Sequence, residues 1–321
     1  MGSLRVIEGG GARPLDMGVA TYIWLNREGE VCSRTKVISL AQTPEGEKIP
    51  MLDRWKMLDR VEIKPEPENP IGDWQERHEP KLTSKTFILS PCYYVPDPLR
   101  PQPSYLVLCE VRTLEDNPVE WNTRARVRKY TEGEALLPWW GIRQQFPKVS
   151  TVKAGIEMKE RFLLACIDAG IRIHSADYNF YWVGPRNISD AIDVEEPSSL
   201  VIGDHLILAR AIFERLMAEQ GDVYKPANIS AHGALHLSTA ETRAEPEKVG
   251  DLTLQLDSLR FSPDWKPRIT EGLDIKSRAA NYVKLSGMPN NLDPYEVMHH
   301  ILTVLVNHQT KPFENPDTTE G

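Results

Sequence analysis

His232 and His236 are four residues apart, with Ala234 midway between them. A strand would place all three on one face. Taken on their own, both histidines read as ordinary polar strand residues. Upstream, Tyr178, Phe180, Tyr181 and Trp182 form an aromatic cluster that suits a core or an interface better than a site. The four cysteines, Cys32, Cys92, Cys109 and Cys166, have neither close pairing nor metal-ligand spacing, and read as buried thiols of an intracellular protein. The sequence holds no Gly-rich phosphate loop with Lys, no His-Glu-x-x-His and no Gly-x-Ser-x-Gly. Gly9-Gly-Gly11 lacks a following Lys-Ser and reads as a flexible entry segment.

The elements that must position such residues divide the chain in two. Before residue 130, short β-like runs stand out at Ala20–Leu25, Thr86–Leu89 and Tyr105–Val111, separated by Pro-rich turns. The charged, Pro-rich stretch from Thr43 to Pro80 reads as a long surface excursion. After Pro138 helical periodicity takes over. Residues 151–169 place Ile156, Phe162, Leu163, Cys166 and Ala169 at helical spacing, and Gly170 suits the stop. Residues 204–220 predict a second helix with Asp204 as N-cap and a stripe through Leu208, Ala211, Ile212 and Leu216. Asp293-Pro-Tyr-Glu296 opens a last helix, with its stripe through Val297, Ile301, Leu302 and Leu305.

With 321 residues and 40% hydrophobic content, the chain can bury a sizeable core. A net charge of -8 gives no electrostatic footprint for nucleic acid. No stretch approaches the roughly 18 apolar residues that a membrane span needs. The N-terminus lacks the apolar core of a signal peptide, and Val6 occupies the Ser/Thr position of a myristoylation signal. A cytoplasmic protein that binds neither nucleic acid nor membrane is the expectation.

Several segments, in order along almost the whole chain, resemble glutamine synthetase of the eukaryotic type. Trp139-Trp-Gly-Ile142 resembles Trp-Phe-Gly-x-Glu-Gln-Glu. Ala165-Cys-Ile-Asp-Ala-Gly170 resembles Ala-Cys-Leu-x-Ala-Gly. Val183-Gly-Pro185 and Gly203-Asp-His-Leu206 with Ala209-Arg210 resemble the family's Gly-Pro strand end and Gly-Asp-x-Leu-x-x-Ala-Arg helix. Leu237-Ser-Thr239 resembles Phe-Ser-Thr, and Asn291-Leu-Asp-Pro-Tyr295 resembles Asn-Met-Asp-Pro-Tyr. Tyr22-Ile-Trp24 and Asp97-Pro-Leu-Arg100 have counterparts too. The resemblance implies an α+β fold: a small β-grasp N-terminal domain over residues 1–130, then a shortened catalytic domain with antiparallel strands and helices over 131–310. A polar tail spans 311–321.

The family joins ammonia to glutamate using ATP and two Mg or Mn ions, held mainly by Glu with one His. Here the resemblance puts Arg143 and Gln145 at the first Glu pair, Phe180 at another Glu, Ala234 at the His and Lys284 at a further Glu. Asp177 falls near a Glu and is the one surviving carboxylate, while a two-residue shortening would register His236 as the ligand. Arg278 corresponds loosely to an arginine of the family. At an effective dielectric of about 20, like charges about 4 Å apart repel by roughly 4 kcal/mol, and a divalent ion doubles that. Either Arg143 replaces a metal electrostatically, or its strand end faces solvent.

The resemblance therefore implies a glutamine synthetase-like protein without glutamate–ammonia ligase activity and without bound ATP or metal. It would act in binding, assembly or regulation. Partners implied are copies of itself or an active glutamine synthetase. The alternative is a repurposed ATP-dependent amide-forming ligase or another enzyme of specialised metabolism, working through Asp177, His232 and His236. A faulty gene model would also explain the missing segments, but not the substitutions at Arg143 and Lys284.

Overall fold

The computed structural model describes residues 16–63, 81–131, 138–145, 152–176, 180–183, 199–219, 233–239, 242, 244–245, 247–257, 268–273, 280–288 and 293–309. Among them the fold is α+β, with two six-stranded sheets and five helices.

The first sheet takes the order β3-β2-β1-β6-β5-β4. Its strands are β1 (Met17–Leu25), β2 (Val31–Gln42), β3 (Lys48–Pro50), β4 (Trp55–Ile63), β5 (Lys81–Pro96) and β6 (Ser104–Arg112). The central pair β1/β6 is parallel and the other pairs are antiparallel. Three β-like runs of the sequence lie in β1, β5 and β6. The expected excursion from Thr43 is corrected: β3 and β4 fall inside it, and β4 pairs with β5 along its whole length. The hydrophobic pattern explains this, because Trp55 sets its ring edge-on to Tyr22, 5.5 Å between centroids. Residues 64–80 lie outside the described residues.

Alternation in β6 gives this sheet two apolar faces. Tyr105, Val107, Cys109 and Val111 pack with Tyr22 and Phe87 on one side, while Leu106 and Leu108 on the other join the main core. That core continues without a break into the second half of the chain, through Trp140, Phe162, Leu206, Leu235 and Ile301.

The second sheet takes the order β11-β12-β10-β7-β9-β8, all antiparallel. It comprises β7 (Trp139–Gln145), β8 (Ile173–Ala176), β9 (Phe180–Val183), β10 (Gly233–Ser238), β11 (Arg268–Leu273) and β12 (Ala280–Met288). The helices are α1 (Thr123–Thr131), α2 (Val152–Asp168), α3 (Ser199–Glu219), α4 (Lys248–Asp257) and α5 (Pro294–Gln309).

Helix α2 ends as its sequence predicts. Gly170 takes φ +71°, its N–H bonds the Ile167 carbonyl and the Ile171 N–H bonds that of Cys166. Ile156, expected on the buried stripe, is 54% exposed, with Leu164 and Ile167 exposed beside it. Helix α3 starts at Ser199, so Asp204 is not its N-cap. Asp204 lies buried within the helix and takes two hydrogen bonds from Arg124 instead. Next to it, Gly203 is required by close approach: a Cβ there would stand 2.3 Å from the Tyr295 ring. Helix α5 starts as expected, with the Asp293 carboxylate accepting the Tyr295 N–H at 2.9 Å. The cysteines are all free, but only Cys109 and Cys166 are buried; Cys32 and Cys92 are partly exposed.

Candidate functional site

The register of the second sheet determines what meets on its outer face. In an antiparallel ladder directly paired residues point to the same side. Arg143 pairs with Trp182 on one flank and with Ala234 on the other. Ala234 pairs with Ser286, and Ser286 with Arg268. One step along, His236 pairs with both Gly141 and Lys284, and Lys284 with Thr270. Gln145 pairs with Phe180. The positions to which the resemblance assigns metal ligands therefore share one face: Arg143, Gln145, Ala234 and Lys284, with Phe180 in register. Among the described positions that register brings to this face, none is Asp or Glu.

The other face is core. Trp140, Ile142, Tyr181, Val183, Leu235, Leu237, Val283 and Leu285 are buried in the main core, with β7 and β9 against α3 and β12 against α4. Two polar bonds orient it. Trp140 donates its indole N–H to Ser199 Oγ at 2.7 Å, and Arg210 donates Nε–H to Gln144 Oε1 at 2.7 Å. The period of two thus explains why Gln144 serves the scaffold while its neighbours Arg143 and Gln145 serve the outer face.

The outer face combines positive charge with stacked rings. His236 stacks on Tyr282, centroids 4.4 Å apart and planes 26° apart. On its other side it meets the Trp182 ring at 4.6 Å, edge to face. Those residues sit on β10 and β9, separated by β7, and Gly141 has no side chain to stand between them. The Arg143 guanidinium lies 5.9 Å from the centre of the Trp182 ring, a cation–π approach. Lys284 completes the cluster. Burial lowers its ammonium pKa from the ordinary value, and the nearby charges of Arg143 and Arg268 lower it further.

This donor set does not fit a divalent cation. Such an ion wants several oxygen ligands, mostly carboxylates, and the face offers guanidinium, ammonium and imidazole. Among the described residues no group of three or more His, Cys, Asp or Glu could hold a metal. Of the residues expected at the site, His236 lies on the face; Asp177, His232 and Arg278 lie outside the described residues. Three participants, Arg268, Trp182 and Tyr282, were not placed at the site by the sequence. Arg268 sits where no family motif is recognisable, and the roles of Trp182 and Tyr282 as partners of His236 depend on cross-strand register.

A separate cleft of about 1050 Å³ lies on the first sheet, lined by Trp24, Met57, Phe87 and Trp121 with Arg27 and Arg34. The Arg27 guanidinium is 5.2 Å from the Trp121 ring centre. Glu28 and Glu120 also line it, so it lacks the single sign of charge found on the second sheet.

No helix among the described residues is long and apolar enough to cross a membrane. No family model matches the chain. Curated proteins do. The chain is 26% identical over 267 residues to the glutamine synthetase of Emericella nidulans, covering 71% of this chain and 66% of that protein. It is 26% identical over 262 residues to that of Streptomyces hygroscopicus, covering 71% and 69%. To that of Canis lupus familiaris it is 24% identical over 268 residues, covering 72% and 64%. The chain spans about two thirds of the length of these curated relatives.

Proposed function

We propose that this chain is a divergent member of the glutamine synthetase family that does not carry out ATP-dependent glutamate–ammonia ligation. It acts instead by binding, through assembly with itself or with an active glutamine synthetase, or in regulation. Similarity to glutamine synthetases over about 70% of the chain supports the family. The parallel pairing of β1 with β6 at the centre of the first sheet supports a β-grasp reading of the N-terminal unit.

The loss of ligation rests on one observation. Arg143 and Lys284, at positions that the resemblance gives to carboxylates, share a sheet face with Arg268, and their charges are close enough to depress the Lys284 ammonium. A phosphoryl-transfer site needs divalent cations to neutralise the transferring group. Fixed cations on the supporting strands repel those ions.

Purified protein given Mg, ATP, glutamate and ammonia is expected to release no phosphate above the no-enzyme background. Glutamate-dependent phosphate release at an ordinary enzymatic rate, on the order of 1 per second or faster, would overturn the reading.

A further inference from the structure

We infer that the cleft on the first sheet is a binding site for a planar aromatic carboxylate, a ligand with flat rings and one negative charge. The inference does not depend on the reading of the second sheet.

The lining of the cleft is its first support. Strand alternation gives the first sheet a second apolar face, on the side opposite the main core. Met57 pairs with Phe87 across β4 and β5, so both stand on that face. Trp24, Met57 and Trp121 pack on it and stay partly exposed. Phe87 and Trp121 meet edge to face, with ring centroids 5.3 Å apart. The Trp121 indole N–H is buried without an acceptor, so no hydrogen bond orients that ring. The volume, about 1050 Å³, is at the upper end of the roughly 300–1,000 Å³ usual for small-molecule sites. Walls of this kind suit a flat ring system, which offers both a face and an edge to each aromatic neighbour.

The second support is charge. Arg27, Arg34 and Lys85 line the cleft. Among the described residues, none of the three is in an ion pair with Asp or Glu. The Arg27 guanidinium lies 5.2 Å from the Trp121 ring centre, and that of Arg34 lies 5.3 Å from the Trp55 ring centre. An arginine against a ring face keeps its N–H donors for a carboxylate, which it can bind with two parallel bonds. Glu28 and Glu120 also line the cleft, which leaves one positive charge in excess. That balance matches a single carboxylate. It disfavours a polyanion, which the two glutamates repel, and it leaves a neutral ligand without the ion pair.

The test is calorimetric titration of the full chain with naphthoate at neutral pH. One equivalent is expected to bind with a Kd below about 1 mM. Two relatives of the probe separate its two features. Naphthamide keeps the rings and loses the charge. Decahydronaphthoate keeps the charge and loses the aromatic rings. Each is expected to bind at least about fivefold more weakly. Arg27→Gln combined with Arg34→Gln, both at exposed positions, should weaken naphthoate binding about tenfold or more, the scale of one lost charge-assisted hydrogen bond. Arg161→Gln, which removes an exposed ion pair to Glu219 away from the cleft, should leave it unchanged. Thermal unfolding establishes that each variant is folded.

A Kd weaker than about 1 mM for the folded parent overturns the site. Binding that is unchanged in the folded Arg27→Gln/Arg34→Gln protein places the ligand elsewhere and also overturns it. Naphthamide or decahydronaphthoate binding as tightly as naphthoate overturns the assigned ligand class.

Discussion

Arg124→Met is expected to destabilise the protein by about 3–5 kcal/mol, the cost of stranding a buried charge. Arg124 stands on α1 and reaches two other elements. Its Nε and Nη2 donate to the two carboxylate oxygens of Asp204 on α3, at 2.8 and 2.9 Å. Its Nη1 donates to Glu110 on β6 at 2.9 Å. Asp204 also accepts the Tyr295 hydroxyl from α5. Burial first, and then the Asp204 charge, raise that phenol well above its ordinary pKa, so Tyr295 stays a neutral donor. All four side chains are buried, with Asp204 only 1% exposed. Glu110 keeps Arg112 and Arg128 when Arg124 is removed, at 3.0 and 3.2 Å. Asp204 keeps a single neutral hydroxyl, so the penalty falls on it.

Urea unfolding at neutral pH measures this effect. Arg124→Met combined with Asp204→Asn should cost well under the sum of the two single changes, because the second removes the charge that the first strands. A single-variant loss under about 1 kcal/mol, or strict additivity, would contradict the network's role. The network ties the first sheet to α1, α3 and α5, and thereby holds α3 beneath the second sheet.

A second large effect is tied to pH. His205 is 2% exposed on α3. Its Nδ1 accepts the backbone N–H of Arg172 at 2.9 Å, so Nε2 carries the proton and donates to the Tyr93 hydroxyl at 2.9 Å. Burial, with help from the Arg172 charge, lowers its pKa from 6.5 to about 4. Between those values the unfolded chain takes up a proton that the folded chain refuses. This site's contribution is therefore complete above pH 6.5 and falls as the pH drops toward 4, by up to about 3 kcal/mol.

Asp293 works in the opposite sense. Burial raises its pKa from 3.8 to about 6, against the bonds from Thr123 and the Tyr295 backbone, so its protonation favours the folded state as the pH falls through that window. The two are separated by comparison with His205→Asn, whose amide oxygen can accept the Arg172 N–H. The variant should be less stable than the parent at pH 7.5, with the gap closing or inverting near pH 4.5. Parallel stability profiles for the two proteins from pH 7.5 to 4.5 would refute the assignment.

Local signals were legible in the sequence, and contacts between distant elements were not. Gly170 and Asp293 end and begin helices because their capping depends on neighbours within a few residues. The strands β1, β5 and β6 follow from β-branched and aromatic runs. Asp204 looked like a cap for the same local reason. Its actual partner, Arg124, is 80 residues away and visible only once α1 packs on α3. Strand β4 was missed because its charged, Pro-rich surroundings outweigh nine residues that pair with β5.

The candidate site divides in the same way. Period-two alternation puts Ala234 and His236 on one face, and the resemblance assigns Arg143 and Lys284 to ligand positions; their pairing with Ala234 and His236 comes only from the sheet register. The ring cluster of Trp182, His236 and Tyr282 depends on Gly141 having no side chain between β9 and β10, which no single-strand pattern contains. Arg268 was invisible for a related reason, because it reaches the cluster only through its pairing with Ser286.

On the proposed reading, the second sheet's outer face, where the resemblance places metal ligands, repels divalent cations. Titration of the full chain with Mn, followed by the loss of the free ion's electron paramagnetic resonance signal, tests it most directly. Free Mn is expected to track added Mn throughout, with no stoichiometric binding up to about 1 mM. Saturable binding of one or two Mn ions well below that concentration would contradict it.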